Sequence, residues 1–515
     1  MTNQYHNNTE TLPSYSSSYW RDHKSLKAFP ALNESIDVEV AIVGGGMTGI
    51  LTAFLLSLEG KKVALIEGGS LLDGTTGNTT AKITAQHDVM YDKLIDTHGE
   101  EKARLYYDAQ MEAMNNIEKL IELHDIDCDY KVQDAYLHAG TEDGQKQLEK
   151  ELDAYEKLNI EGELVYKSEL PFNTKAALVM RNQAHFHPVK FLQGIVEEIE
   201  RLGGLIFENT MADDITGDDP VTVKTRNGYD VWCDKVVMAS HFPFDDMKGF
   251  YFSRLHPERS YAIAVRTEKE IPEGMYLGID DPGFSLRHTE VNGEKLAIFG
   301  GQGHKTGKSE DTLQHFENIR KFADEHFGVK EVAYRWSAQD LIPPDNVPLI
   351  GQSVTGRPHV LTASGFKKWG MTNGMAAAHL LKDLITGQPN KYKELFDPTR
   401  THLKGEAAKT LIKEMADDGA QMVKSRVKRK DKKLEELENG EGAVVSIKGL
   451  RRGAYKDEGG ELHIVDTTCT HMKCGVEWNS GERSWDCPCH GSRFSYTGEV
   501  LEGPATAPLK KIEKD

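Results

Sequence analysis

The chain has 515 residues, 38% of them hydrophobic and 28% charged, and a formal net charge of −19. This length allows two or three domains with sizeable cores, while the acidic balance argues against nucleic acid or an anionic membrane surface as a partner. No apolar run approaches the ~20 residues of a membrane-crossing helix, so the expectation is a cytoplasmic protein with no transmembrane segment.

The first 18 residues are polar, with neither a twin arginine nor an apolar leader core, and residues 1–30 are expected to be disordered or extended. Order begins with the strand-type run 38–43. It feeds into Gly44-Gly45-Gly46-Met47-Thr48-Gly49, then an apolar helix over about 50–58 and a second strand over 62–66 that closes at Glu67 and Gly68. This is βαβ with G-x-G-x-x-G at the turn. Gly44 permits the tight turn, Gly46 lets the backbone approach a pyrophosphate, and Gly49 lets helix and strand pack closely. Backbone N–H groups at the helix start can then hold a diphosphate, and Glu67 can accept from ribose hydroxyls. The context of strand, helix and closing acid makes this a dinucleotide site.

The run Gly74-Thr75-Thr76-Gly77-Asn78-Thr79-Thr80 follows, rich in glycine and hydroxyls. Its composition alone leaves a solvated loop equally open. Together with Ser18-Tyr19-Trp20, Leu32-Asn33-Glu34 and the glycine motif, it resembles the FAD-dependent oxidoreductases of the D-amino-acid oxidase superfamily. The look is nearest to the gamma-glutamylputrescine oxidoreductase and glycine oxidase branch. The resemblance spans about 18–387 and implies that Thr75, Thr76 and Thr80 lie along FAD. In that family the loop usually reads G-x-S-G-R-N-G-G. Here the arginine is absent and Thr80-Ala81 replaces the second glycine pair, so the usual catalytic surroundings do not carry over and no catalytic residue is assigned.

The apolar spacing over 99–124 predicts a long amphipathic helix whose stripe serves core packing. Runs 130–139 and 163–166 read as strands of a separate sheet, where the superfamily covers the flavin and admits substrate. His185-Phe186-His187-Pro188 could suggest a metal, but loop entry into a helix over 191–202 is the better reading. After a strand over 205–209, Met211 falls where the resemblance places backbone against the adenine. The strand 236–240, ending in Ala239 and Ser240, is expected to pass the FAD. Strands over 261–266 and 295–299 follow, and Gly300-Gly301-Gln302-Gly303 reads as a turn rather than a second phosphate site.

The stretch 334–351 precedes a strand over 360–364, Gly365, then Trp369-Gly370-Met371-Thr372 and a small-residue helix over 373–384. A helix N-terminus there can face an electron-poor ring, and the resemblance sets it at the pyrimidine side of the isoalloxazine. Several family members attach FAD to a cysteine near this point. Here the cysteines outside the C-terminal motif are Cys128 and Cys233, so noncovalent FAD is implied.

Residues 404–433 are charged and helix-forming, and the basic run near 428–433 reads as part of a solvated linker helix rather than a nucleic-acid contact. Short β runs over 442–447, 452–455 and 462–465 come next. Then stand Cys469-Thr470-His471-Met472-Lys473-Cys474 and Cys487-Pro488-Cys489-His490-Gly491-Ser492, holding four of the six cysteines. Two thiolates and two imidazoles suit either a Rieske [2Fe–2S] cluster or a Cys2His2 zinc site. The flanking residues resemble the Rieske proteins of cytochrome bc complexes, with C-T-H-x-x-C and C-P-C-H-G-S loops and a Gly503-Pro504-Ala505 loop, over roughly 434–509. The resemblance implies Cys469, His471, Cys487 and His490 as ligands and a Cys474–Cys489 disulfide, unusual for a reducing compartment. It departs at Phe494, where those proteins usually carry a tyrosine that donates to a ligand sulfur. Ser492 is retained, and Tyr496 is expected to point to the other face.

The expected architecture is α/β: a Rossmann-like FAD-binding domain with an inserted antiparallel-sheet substrate domain over 31–403, FAD-binding parts near 36–90, 190–250 and 330–390, and a small all-β Rieske domain over 434–515. The implied activity is hydride transfer to FAD from the C–N bond of a small amine or amino acid. Electrons would then pass singly through the cluster to an external protein or quinone, more as a dehydrogenase than an oxidase. His471 and His490 are expected to face solvent as the electron exit. A redox-sensing or purely electron-transferring flavo-iron–sulfur protein is the alternative. A Rieske oxygenase would need an additional mononuclear iron site.

Overall fold

Strand Ile36–Val43 is fully buried from Val40 onward, as a strand covered on both faces must be. It pairs in parallel with Val63–Ile66 on one side and with Asp230–Met238 on the other. The helix between the first two strands, Met47–Leu58, lies close against them: a Cβ at Gly49 would stand 1.8 Å from the Gly44 carbonyl oxygen. A computed structural model of the chain describes residues 11–22, 26–309, 311–400 and 432–513. Among these, the first sheet runs in the order Leu349–Gln352, Val360–Ser364, Asp230–Met238, Ile36–Val43, Val63–Ile66, Leu205–Phe207.

A second, mostly antiparallel sheet stands over the strand ends of the first. Its order is Val329–Ile342, His256–Thr267, Glu294–Lys305, Phe284–Val291, Met275–Gly278, Lys131–Ala139, Ala176–His185, Lys82–Ile83. The long helix Glu100–Leu123 presents Ala103, Tyr106, Ala109, Ala113 and Ile117 to the core, as its spacing predicts. His187 caps the helix Pro188–Arg201, its Nδ1 accepting from Lys190 N at 3.2 Å, so these histidines serve the loop entry.

Two expectations need correction. Gly300-Gly301-Gln302-Gly303 is not a turn but the continuation of strand Glu294–Lys305. Gly301 pairs with Tyr261 on one side and Phe284 on the other, and cross-strand pairing overrides the low strand preference of glycine. The described part of residues 1–30 is also pinned rather than loose. Ser17 bridges to Arg335, Ser18 Oγ donates to Gly77 O, and Trp20 Nε1 donates to Thr79 O at 2.7 Å. The linker helix expected over 404–433 lies outside the described residues except for its last two.

The C-terminal domain stacks the sheet Glu441–Ile447, Leu450–Lys456, Leu462–Asp466 beside the sheet Glu477–Asn479, Ser484–Asp486, Arg493–Ser495, Val500–Glu502. It docks on the second sheet of the larger domain. Arg259, 1% exposed, reaches Glu502 at 3.1 Å, and Arg335 Nη1 donates to Gly481 O at 2.7 Å. Thr312 Oγ1 donates to Asn479 Oδ1 at 2.7 Å. No helix among the described residues is long and apolar enough to cross a membrane.

Trp20 is fully buried, with the Arg287 guanidinium 5.0 Å over its ring. Trp20→Ala removes this plug and the clamp on Thr79, and should destabilise the protein by about 3–5 kcal/mol. Chemical denaturation checks this as a lowered midpoint at unchanged slope. A loss below about 1 kcal/mol would make the segment peripheral.

Candidate functional site

A cavity of ≈ 680 Å³ opens between the two large sheets. The turn from Gly44 to Thr48 forms one end. Gly44 has φ +118, and a Cβ there would stand 2.3 Å from Ala239 O; one at Gly45 would meet Leu71 Cδ2 at 2.3 Å. Only glycine lets this backbone curl so tightly at the cavity's edge. Thr76 Oγ1 accepts from Met47 N at 3.0 Å, tying the threonine loop to the helix start. Glu67 accepts from Gly45 N at 2.6 Å and Gly69 N at 2.8 Å, while burial raises its pKa.

Gly68, Thr75, Thr76 and Thr80 line the cavity, as do Met211, Ala239 and Ser240 from the strand ends. Trp369, Gly370 and Met371 line it at the start of helix Gly370–Thr386. Three other sequence-predicted residues stand outside its wall. Gly49 is spent on helix–strand packing, and Gly365 lies against Pro343, whose Cγ is 2.6 Å from where a Cβ would be. The Thr372 hydroxyl is turned inward, 3.2 Å from His87 Nε2 and 3.4 Å from Thr84 O. The glycine cradle and the helix starts at Met47 and Gly370 fit the diphosphate and ring of FAD.

A further polar group on the cavity wall, centred on Lys368, carries no signal in the sequence. Lys368 Nζ donates to Glu258 Oε1 at 3.0 Å and Ser260 Oγ at 2.6 Å, with Asp340 Oδ2 at 3.8 Å. Burial lowers the Lys368 pKa, but Asp340 and Glu258 outweigh it and the net shift is upward. Burial pushes Asp340 up to about 7 and, with Arg287 adding repulsion, draws Lys82 down to about 7. These side chains come from three separate strands and one loop, so no spacing along the chain could announce them. His87 was also missed. Stacked 4.7 Å from Trp369 and bonded to Tyr106, it supports the wall from behind.

In the C-terminal domain, Cys469 and Cys487 are buried and free, while Cys474 and Cys489 are joined by a disulfide, Cα–Cα 6.6 Å. Cys487 Sγ lies within 4.8 Å of both disulfide sulfurs, which have no thiolate left to give. His471 Nδ1 and His490 Nδ1 are buried and have no hydrogen-bond partner among the described residues, on rings 5.1 Å apart. Two thiols and two orphaned imidazole nitrogens fit the Rieske donor set. Ser492 Oγ accepts from Ala505 N at 3.0 Å. A hydrogen bond from Cys487, then those from the His471 backbone N–H and from Ser492, hold the Cys469 thiol below the usual thiol range. Phe494 is fully buried against this cluster of side chains, and Tyr496 packs elsewhere, on Tyr455 and His463.

The histidine edge contradicts one expectation. His471 and His490 do not face solvent: each is only 7% exposed. His471 Nε2 lies 3.1 Å from Asp246 Oδ2, and the Phe252 ring stands 5.9 Å from His471 and 5.3 Å from His490. Gln339 Nε2 donates to Gly491 O at 3.1 Å, and Thr75 Oγ1 donates to Gln339 O at 3.3 Å. The edge is therefore turned toward the larger domain, and residues 500–506 form part of the cavity wall. Which face of a small domain docks is a long-range outcome that local motifs do not encode.

The family model for FAD dependent oxidoreductase matches residues 39–384, and that for the Rieske [2Fe-2S] domain matches 428–513. A Bacillus subtilis (strain 168) protein, YhfW, named as a Rieske 2Fe-2S iron-sulfur protein, is 45% identical over 97% of this chain and 98% of its own. Gamma-glutamylputrescine oxidoreductase of Escherichia coli (strain K12) is 22% identical over 74% of this chain and 91% of its own. The crystal structure of glycine oxidase from Geobacillus kaustophilus superposes with a TM-score of 0.61 at 18% identity, covering 71% of this chain and 99% of that one.

Two outcomes are expected. Gly46→Val puts a branched side chain against Thr76 Oγ1, which stands 3.0 Å from the Cβ position. The purified variant should lose flavin absorbance and keep its iron; full flavin occupancy would move the cofactor elsewhere. Ser492→Ala removes a donor to a ligand sulfur, an interaction of about 1.5–3 kcal/mol, and should lower the cluster potential. Phe494→Tyr should raise it if the new hydroxyl reaches sulfur. EPR-monitored redox titration reads both, at about 59 mV per tenfold change.

Proposed function

This chain belongs to the FAD-dependent oxidoreductase family and carries a Rieske [2Fe–2S] domain, and on that premise we propose that it oxidises a small amine or amino acid at a C–N bond. It acts as a dehydrogenase, and its electrons leave singly through the cluster for an external protein or quinone. Bound FAD, held noncovalently, supplies the two-electron acceptor for hydride, and the cluster supplies one-electron carriage. The observation that carries this reading is the shared cavity, whose wall is built from the glycine cradle and from residues 500–506 of the Rieske domain. The named activities of the amine- and glycine-oxidising relatives support the substrate class.

The turn Gly44–Thr48 would hold the diphosphate, Glu67 the ribose, Met211 the adenine side, and the start of helix Gly370–Thr386 the pyrimidine edge. Cys469 and Cys487 would hold one iron, and His471 and His490 the other through Nδ1. Around the remaining space, Lys82 Nζ and the Asp340 carboxyl both titrate near neutral pH. They are the groups able to exchange a substrate proton. Lys368, fixed by Glu258 and Ser260, keeps its charge and can orient an anionic or carbonyl group.

The test is an anaerobic screen of small amines and amino acids on protein assayed for one acid-extractable FAD, two irons and two acid-labile sulfides per chain. At least one compound should bleach the flavin and bring up the EPR signal of a reduced Rieske cluster. A flavin that no amine or amino acid bleaches would sink the proposal, as would zinc in place of iron.

A further inference from the structure

We propose that Asp246, supplied by the larger domain, is a positioning residue for His471 that holds down the reduction potential of the Rieske cluster. The proposal rests on the ligand set given above. Asp246 and His471 meet across the domain seam at 3.1 Å, and their side chains are 4% and 7% exposed. The neighbouring Asp245 is committed elsewhere, to Arg357 at 2.7 Å and Lys248 at 3.2 Å. Asp246 instead turns its carboxylate to the imidazole.

Among the described residues His471 Nδ1 has no hydrogen-bond partner, so this is the nitrogen free to ligate. Nε2 must then carry the proton and donate it to Asp246. A carboxylate accepting from a ligating histidine fixes the tautomer and ring orientation and makes the imidazole a stronger donor to the metal. That favours the more positive, oxidised state. The carboxylate charge also opposes an added electron, and little water intervenes to screen it. Both effects act in the same direction. The arrangement is one-sided: among the described residues, the charged and titratable groups that act on His490 are His471, Lys305 and His256. Phe252 fills the space against both rings and excludes water.

The experiment is a dye-mediated redox titration of the full-length holoprotein at one fixed pH, followed by the EPR signal of the reduced cluster. Asp246→Asn keeps an acceptor oxygen for His471 and removes the charge. It should shift the equilibrium at least tenfold toward the reduced form, a rise of about 59 mV for a one-electron couple. Asp245→Asn serves as the control and should leave the potential in place. An unmoved potential in Asp246→Asn, or an equal shift in Asp245→Asn, overturns the proposal. Asp246→Ser provides a second reading if the asparagine variant does not assemble. If neither variant assembles its cluster, the carboxylate is a structural requirement and the proposal also falls. Chemical reductant drives the titration, so failure of the amine substrate leaves it intact. A wild-type protein without a [2Fe–2S] signal would sink the ligand assignment beneath it.

Discussion

A buried charge cluster at the domain seam fixes everything else about this molecule. Arg259 from the large sheet and Arg493 from the Rieske domain both bond to Glu502, at 3.1 Å and 2.8 Å, and Arg493 also pairs with Asp486 at 3.1 Å. Burial would raise the Glu502 carboxyl, yet the two guanidiniums, Arg493 first, hold it down to about 2. Its contribution is therefore present above the ordinary carboxylate range and is lost only as pH falls toward that value. Such a cluster adds little net stability over an apolar seam, but removing one partner strands a buried charge at a cost of about 3–5 kcal/mol. Any other docking of the two domains would have to find new partners for Arg259 and Glu502.

That geometry decides which way the cluster looks. With Glu502 clamped, the loop after it, residues 503–506, falls on the cavity, and Gly491 comes against Pro257 and Gln339. The histidine edge follows, meeting Asp246 and Phe252 rather than water. On the function proposed here, this edge is where electrons enter from within the chain, and an external acceptor must approach another face. The bonded run from Thr75 through Gln339 to Gly491 spans from the cavity wall to the residue after His490.

What the sequence made legible was local. The βαβ turn, the helix over Glu100–Leu123 and the cysteine–histidine loops each declare themselves within about thirty residues, through periodicity and spacing. The helix Gly370–Thr386 starts three residues before the predicted 373, because Trp369 and Gly370 fit its first turn without any sequence cap. The Gly300–Gly303 run misled because glycine weakens a strand only when its neighbours do not compensate, and here two partner strands do. Lys368, Glu258 and Asp340 meet only after the chain has crossed the sheet, so they carry no spacing signal. The N-terminal segment reads as disordered or extended because its anchors, Gly77, Thr79 and Arg335, lie far along the chain.

The cavity wall also narrows the substrate class. Among the described residues no arginine lines it. Arg287 is spent on Thr80 O and His288 O, Arg335 on Pro13 O and Gly481 O, and Arg259 on Ser337 and Glu502. A planar fork for bidentate recognition of a carboxylate is thus not on offer. The lysines on the wall, Lys82, Lys367 and Lys368, act as point charges: burial lowers the pKa of the first two, and the third is already bonded to Glu258. Carboxylates stand beside them: Glu258, Asp281, Asp340 and Glu502 share the wall. On the function proposed above, a chamber without an arginine fork suits the cationic end of an amine better than the carboxylate of a simple amino acid. Within the proposed chemistry, amines without an α-carboxylate are therefore the better-matched substrates.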